Sequence, residues 1–175
     1  MLLLQSIHLI DFLSHKDTAL SFQENTKLLL DGESGAGKSS VLEAIIFALY
    51  GQARADNRSI IRRNAKKTTV ALELHDGEAH YTIERSVSLA GKHTLDIRVN
   101  GIAHELSGVR PLQEWIEKTL IGASYTLFIN SIAYLQGGAD TFVTQSAPRR
   151  KELLLEIVQP IDFDTYYERT KEEAQ

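Results

Sequence analysis

LLLDGESGAGKSSVLEAI, residues 28–45, sets three glycines and a lysine between two apolar runs. Glycine loses more backbone freedom on ordering than any other residue, so such a cluster implies a task for bare backbone. Gly32-Glu33-Ser34-Gly35-Ala36-Gly37-Lys38-Ser39 has the spacing GxxxxGK[ST]. At that spacing successive backbone N–H groups turn inward as an anion nest, and a helix beginning at Lys38 adds the positive end of its dipole. Lys38 is then placed to reach β- and γ-phosphates, and the Ser39 hydroxyl to ligate Mg²⁺. The flanks agree. Lys27–Asp31 is nearly all apolar, which predicts a strand buried on both faces. Val41, Leu42, Ile45, Ile46 and Leu49 recur at helical spacing over residues 38–50, and Gly51 provides a stop. A chance glycine turn would not bring both flanks into agreement, so the segment is read as a nucleoside triphosphate site.

Outward from that loop, the chain reads as an α/β domain with antiparallel hairpins. Residues 2–12 and 18–22 are expected as strands around LSHKD, with Thr18, Leu20 and Phe22 on one face of the second. Strands at 68–74 and 80–86 flank Asp76-Gly77, and strands at 95–99 and 102–104 flank Asn100-Gly101, both hairpin turn pairs. A helix is expected over 109–121, with Pro111 in its first turn, Leu112, Trp115, Ile116 and Leu120 on one face, and Gly122 at its end. Phe128–Leu135 reads as another strand, and a last helix begins near Pro148.

With 43% apolar and 24% charged residues and no cysteine, the chain is that of a globular domain with neither disulfides nor a thiolate metal site. The opening MLLLQSIHLIDF lacks the basic start and small-residue cleavage site of a secretory leader, and no apolar run is long enough to span a membrane. A soluble, cytoplasmic protein is expected. The net charge of −4 is unevenly spread: residues 51–67 carry Arg54, Arg58, Arg62, Arg63, Lys66 and Lys67 against Asp56 alone. A local anionic contact suits that cluster better than a wholly nucleic-acid-coating surface. Arg62, Arg63, Lys66 and Lys67 are the candidates for double-stranded DNA phosphates, with sequence-independent, salt-sensitive binding. No aromatic residues are interleaved with them, so base stacking is not indicated.

The kind of NTPase is narrowed by what the motif lacks. There is no NKxD guanine reader, and no apolar strand after the loop ends in Asp-Glu to hold Mg²⁺ and orient water. The chain can grip a nucleotide, but it does not show the base that would cut it.

FLSHKDT, GESGAGKSSVLEAIIFALYG, SIAYLQGGADTF and APRRKELLLEIV occur in the order of the SMC-like ABC ATPases. Within these, the chain most resembles the large subunit of the SbcC-type double-strand-break repair nuclease. The resemblance implies a P-loop NTPase fold: residues 1–160 as the N-terminal lobe of an ABC-type ATPase head, and 161–175 as a helix entering a coiled coil. It further implies that the signature Ser-Gly-Gly loop and the Walker B acids come from a C-terminal lobe, so that this fragment alone is inactive. By that resemblance, Gly32, Ser34, Gly35, Ala36, Gly37, Lys38, Ser39 and Ser40 would hold ATP. Ser39 and Gln136 would hold Mg²⁺, with Gln136 on the Q-loop and also sensing the γ-phosphate. Ser14 and His15 lie on the loop that approaches the nucleotide in relatives. Leu13 stands where many relatives carry arginine, and Ser34 where they often carry asparagine. The implied partners are the C-terminal lobe, a second ATPase head, an SbcD-type nuclease subunit and double-stranded DNA, with no membrane. A bacterial member would be associated with the nucleoid. The same residues also suit a chromosome-organising or recombination-mediating relative, or a nucleotide-binding scaffold without hydrolysis.

Overall fold

The computed structural model describes residues 2–22, 29–53, 56, 58–133, 146–148, 150, 151 and 155. The chain divides into two units, residues 1–122 and 123–175.

Among its described residues the first unit is a six-stranded antiparallel sheet with helices packed on it. Its strands are β1 (Leu3–Phe12), β2 (His15–Ser21), β3 (Lys67–His75), β4 (His80–Ser88), β5 (His93–Val99) and β6 (Ile102–Ala103), in the order β2-β1-β3-β4-β5-β6. Period-two alternation turns one face of the sheet inward. In register across β1, β3, β4 and β5 run the rows Ile7–Leu72–Ile83–Ile97 and Leu9–Val70–Arg85–Leu95. Every residue in both rows is at most 5% exposed. Each buried aliphatic side chain contributes roughly 2 kcal/mol, so these rows are the main hold on the sheet. Both predicted hairpins form. At the β5–β6 turn Asn100 and Gly101 have φ of 51° and 79°, the pair of positive values that a type I′ turn requires.

Helix α1 (Lys38–Tyr50) packs on β1, β3 and β4. Its apolar surface is wider than the predicted stripe. Ala44, Phe47, Ala48 and Tyr50 are also buried, and Phe47 meets Phe12 of β1 with ring centroids 5.9 Å apart. Helix α2 (Val109–Trp115) continues as a π-helical turn, Ile116–Leu120, burying Leu112 and Ile116 as the spacing predicts.

Two expectations are corrected. Residues 29–31 form no strand, Leu29 is 86% exposed and Leu30 is 37% exposed, so they are not buried on both faces. A doubly buried strand needs neighbours on both edges and layers on both faces, and among the described residues no strand pairs with this stretch. Residues 27 and 28 lie outside the described residues. In the second unit Phe128–Ser131 belongs to a helix, α3 (Tyr125–Ser131), rather than a strand. The Ser124 side chain caps it by accepting the Leu127 N–H, and this local bond outweighs the strand preference of its aromatic and β-branched residues. Residues 147, 148, 150, 151 and 155 are helical, as expected near Pro148. The expected coiled-coil start at 161–175 lies outside the described residues.

Candidate nucleotide site

The glycine loop turns on the three residues that can turn it. Gly32, Gly35 and Gly37 have φ of 148°, 85° and 92°. Ala36 N–H donates to Glu33 O at 3.2 Å, and Ser40 N–H donates to Gly37 O at 3.0 Å, closing the loop directly onto α1. No side chain caps α1 at Gly37, and its first turn holds no acid. The first turn of the helix therefore sets no carboxylate against an anion at its positive dipole end, while in the loop before it the Asp31 carboxylate accepts the Gly32 N–H at 2.8 Å. A Cβ built at Gly35 would have no heavy atom within 4 Å, so the loop is open there.

Lys38 folds back across the loop, its Nζ donating to the carbonyls of Gly32 at 2.5 Å and Glu33 at 2.7 Å. An ammonium has three donors, so one remains for a phosphate oxygen. Ser39 is exposed and Ser40 half-buried at the first turn, and Ser34 and Ala36 are exposed in the loop. Open glycines, an uncapped helix start and an ammonium over the loop are a donor set that fits a triphosphate, with the Ser39 hydroxyl as a hard oxygen for Mg²⁺.

Ser14 and His15, distant in sequence, are brought to this loop by the β1–β2 turn. A Cβ at Gly37 would lie 2.5 Å from Ser14 Oγ and 2.7 Å from His15 Nε2. His15 Nε2 lies 3.1 Å from Gly37 O, and its Nδ1 lies 3.1 Å from Thr18 Oγ1. A carbonyl can only accept, so Nε2 carries the proton and, in the neutral ring, Nδ1 accepts from the Thr18 hydroxyl. Thr18 is thus an orienting residue that composition and spacing did not reveal.

The basic candidates are joined to the same turn. Leu13 N–H donates to Ile60 O at 2.7 Å, Phe12 bridges Ile61, and Arg62 N–H donates to Asp11 O at 2.8 Å. The Arg62 guanidinium lies 3.9 Å from the Asp11 carboxylate, whereas Arg63, Lys66 and Lys67 are exposed. Arg62 is therefore partly engaged inside the protein, and the other three present their charge to solvent. Gln136 and Arg54 lie outside the described residues.

A glycine loop of this geometry at the start of a buried helix in an α/β domain defines a P-loop NTPase. Residues 6–174 match the family model described as AAA domain, and the chain belongs to that family. It is 35% identical over 175 aligned positions to the DNA double-strand break repair Rad50 ATPase of Thermoplasma acidophilum, covering 98% of this chain and 19% of that protein. It is 31% identical to Exonuclease subunit 2 of Escherichia phage RB69, covering 76% of this chain and 24% of that protein. A structure of the recombination mediator protein RecF-ATPrS in RecFOR pathway shares the fold, with a TM-score of 0.60 at 18% identity over 95% of this chain and 40% of that one. These relatives bear out the motif resemblance to the ATPases of double-strand-break repair. The chain spans about a fifth of the length of the curated relatives it matches. No described helix is long and apolar enough to cross a membrane.

Proposed function

We propose that this chain binds Mg-ATP as the N-terminal half of an SMC-like ATPase head that acts in double-strand-break repair. The observation that carries this reading is the loop itself: an uncapped helix start with Lys38 folded across three positive-φ glycines. The backbone N–H groups of the Gly32 to Gly37 loop that are not spent on Asp31 Oδ1 or Glu33 O would hold the phosphates, and Lys38 and Ser40 would complete the cradle. Ser39 and Gln136 would ligate Mg²⁺, which supplies charge neutralisation at the β- and γ-oxygens. Ser14 and His15 would hold Gly37 in place from outside.

Hydrolysis requires an acid to hold the metal and a base for water, and in this reading both come from a C-terminal lobe. That lobe would also cover the exposed Leu29 and Leu30. A second head would close over the nucleotide, and the dimerisation cycle would gate access of double-stranded DNA to a nuclease subunit. The similarity to a protein named as an exonuclease subunit supports the nuclease partner.

The test is ATP hydrolysis by the chain combined with its C-terminal lobe. Lys38→Ala should lower the rate by about a hundredfold or more, the scale on which loss of a transition-state charge partner acts. Equal hydrolysis by wild type and Lys38→Ala would refute the assignment.

A further inference from the structure

Arginine 85 breaks the pattern of its strand. In register it stands in the row Leu9–Val70–Arg85–Leu95, where the alternation calls for an aliphatic residue, and it is only 2% exposed. Its guanidinium reaches the last turn of α1, with Nε donating to Ala48 O at 2.9 Å and Nη2 to Leu49 O at 3.5 Å. Nη2 also donates to Gln113 Oε1 on α2. The Gln113 amide in turn donates to Leu49 O at 3.1 Å and to Glu117 Oε1 at 2.7 Å. Gly51 completes the fit: it ends α1 with φ 67°, and a Cβ there would lie 2.6 Å from Arg85 Nη1. Burial pushes the guanidinium down to about 10, with the Glu117 charge opposing, so it stays cationic at neutral pH.

A buried charge is a costly way to hold a helix, since well-packed apolar residues of equal volume usually serve stability as well or better. The guanidinium supplies something that packing does not. Apolar burial is non-directional, whereas a fork on the last-turn carbonyls specifies an axial position and complements the negative dipole end. Helix α1 is a rigid rod about 20 Å long, so a displacement at its C-terminus arrives undiminished at Lys38 and Ser39. Its other end is braced by Ser14 and His15 on the β1–β2 turn, so both ends are tied to one sheet.

We propose that Arg85 is a positioning residue for the nucleotide site, setting through Gln113 and the α1 carbonyls the axial placement of the helix that presents Lys38 and Ser39. This rests on the nucleotide reading above. The experiment uses the full-length protein that contains this chain, measuring equilibrium binding of Mg-ATPγS well below the melting temperature, alongside Tm. Arg85→Met should weaken binding about tenfold while the far-UV circular dichroism stays native, since misplacement on the ångström scale costs that much or more. Trimethylamine N-oxide added to Arg85→Met until the wild-type Tm returns should leave binding weak. A purely structural role would instead move Tm and binding together. Should Arg85→Met fail to fold, Arg85→Lys keeps the charge but not the fork, and its binding should also weaken. Binding within about twofold of wild type in the folded variant overturns the proposal, because that is the scatter of substitutions without a role. Equal binding by wild type and Lys38→Ala would instead overturn the nucleotide reading, and the Arg85 inference with it.

Discussion

Gly37 carries two constraints that a sequence motif states as one. Its φ of 92° alone favours glycine, as at Gly35, but only at Gly37 do Ser14 and His15 occupy the space of a Cβ. Gly37→Ala should therefore destabilise the protein more than Gly35→Ala, by roughly 1–3 kcal/mol beyond the backbone strain the two share. Thermal or urea unfolding of the two variants checks this. Equal losses would mean that the Ser14–His15 contact does not constrain the loop. The motif made glycine at position 37 legible. The reason for it came from a turn more than twenty residues upstream, because side-chain approach over that separation depends on sheet register and not on local spacing.

The hairpins show the same division at the level of elements. Asp76-Gly77 and Asn100-Gly101 announced turns through the residues that tolerate positive φ, and both turns form. At the first, the Asp76 carboxylate accepts the N–H groups of Ala79 and Glu78, both at 2.9 Å, and the Tyr81 hydroxyl at 2.7 Å. These bonds, led by Ala79 N–H and then Tyr81, hold Asp76 well below the usual carboxylate range, and the pairing raises Tyr81. A depressed carboxyl contributes stability that is fully present above its unfolded value, about 3.9, and is lost as pH falls through its folded value. The Tm advantage of wild type over Asp76→Asn should thus be constant near neutrality and shrink below about pH 4. A gap independent of pH would remove the carboxylate from the turn's stability. Helix α3 went the other way. Its run of Phe, Ile and Tyr suits a strand by composition, and the Ser124 cap decided for helix.

For the whole molecule, the basic segment matters through its place beside the β1–β2 turn. With Arg63, Lys66 and Lys67 exposed and Arg62 partly paired to Asp11, the described part of the segment offers local positive charge on a chain of net charge −4. Each phosphate neutralised contributes about one unit to the slope of log affinity against log salt. Duplex DNA titrated at several salt concentrations should therefore show a slope reduced by up to about two in Arg62→Ala/Arg63→Ala, with weaker binding. Unchanged affinity and slope would exclude both residues from a DNA site. The sequence alone determined the phosphate loop, the helix behind it and the hairpin turns. Each is dictated by neighbours within a few residues: glycines at positive φ, apolar residues at helical spacing, and Asp-Gly or Asn-Gly between alternating runs. Tertiary structure alone decided which turn braces Gly37, which backbone the 60–62 stretch pairs with, and why an arginine stands in an apolar row. Those placements follow from strand register across separations of roughly 20 to 50 residues, where local preference carries no information and only the closed sheet brings the partners within bonding distance.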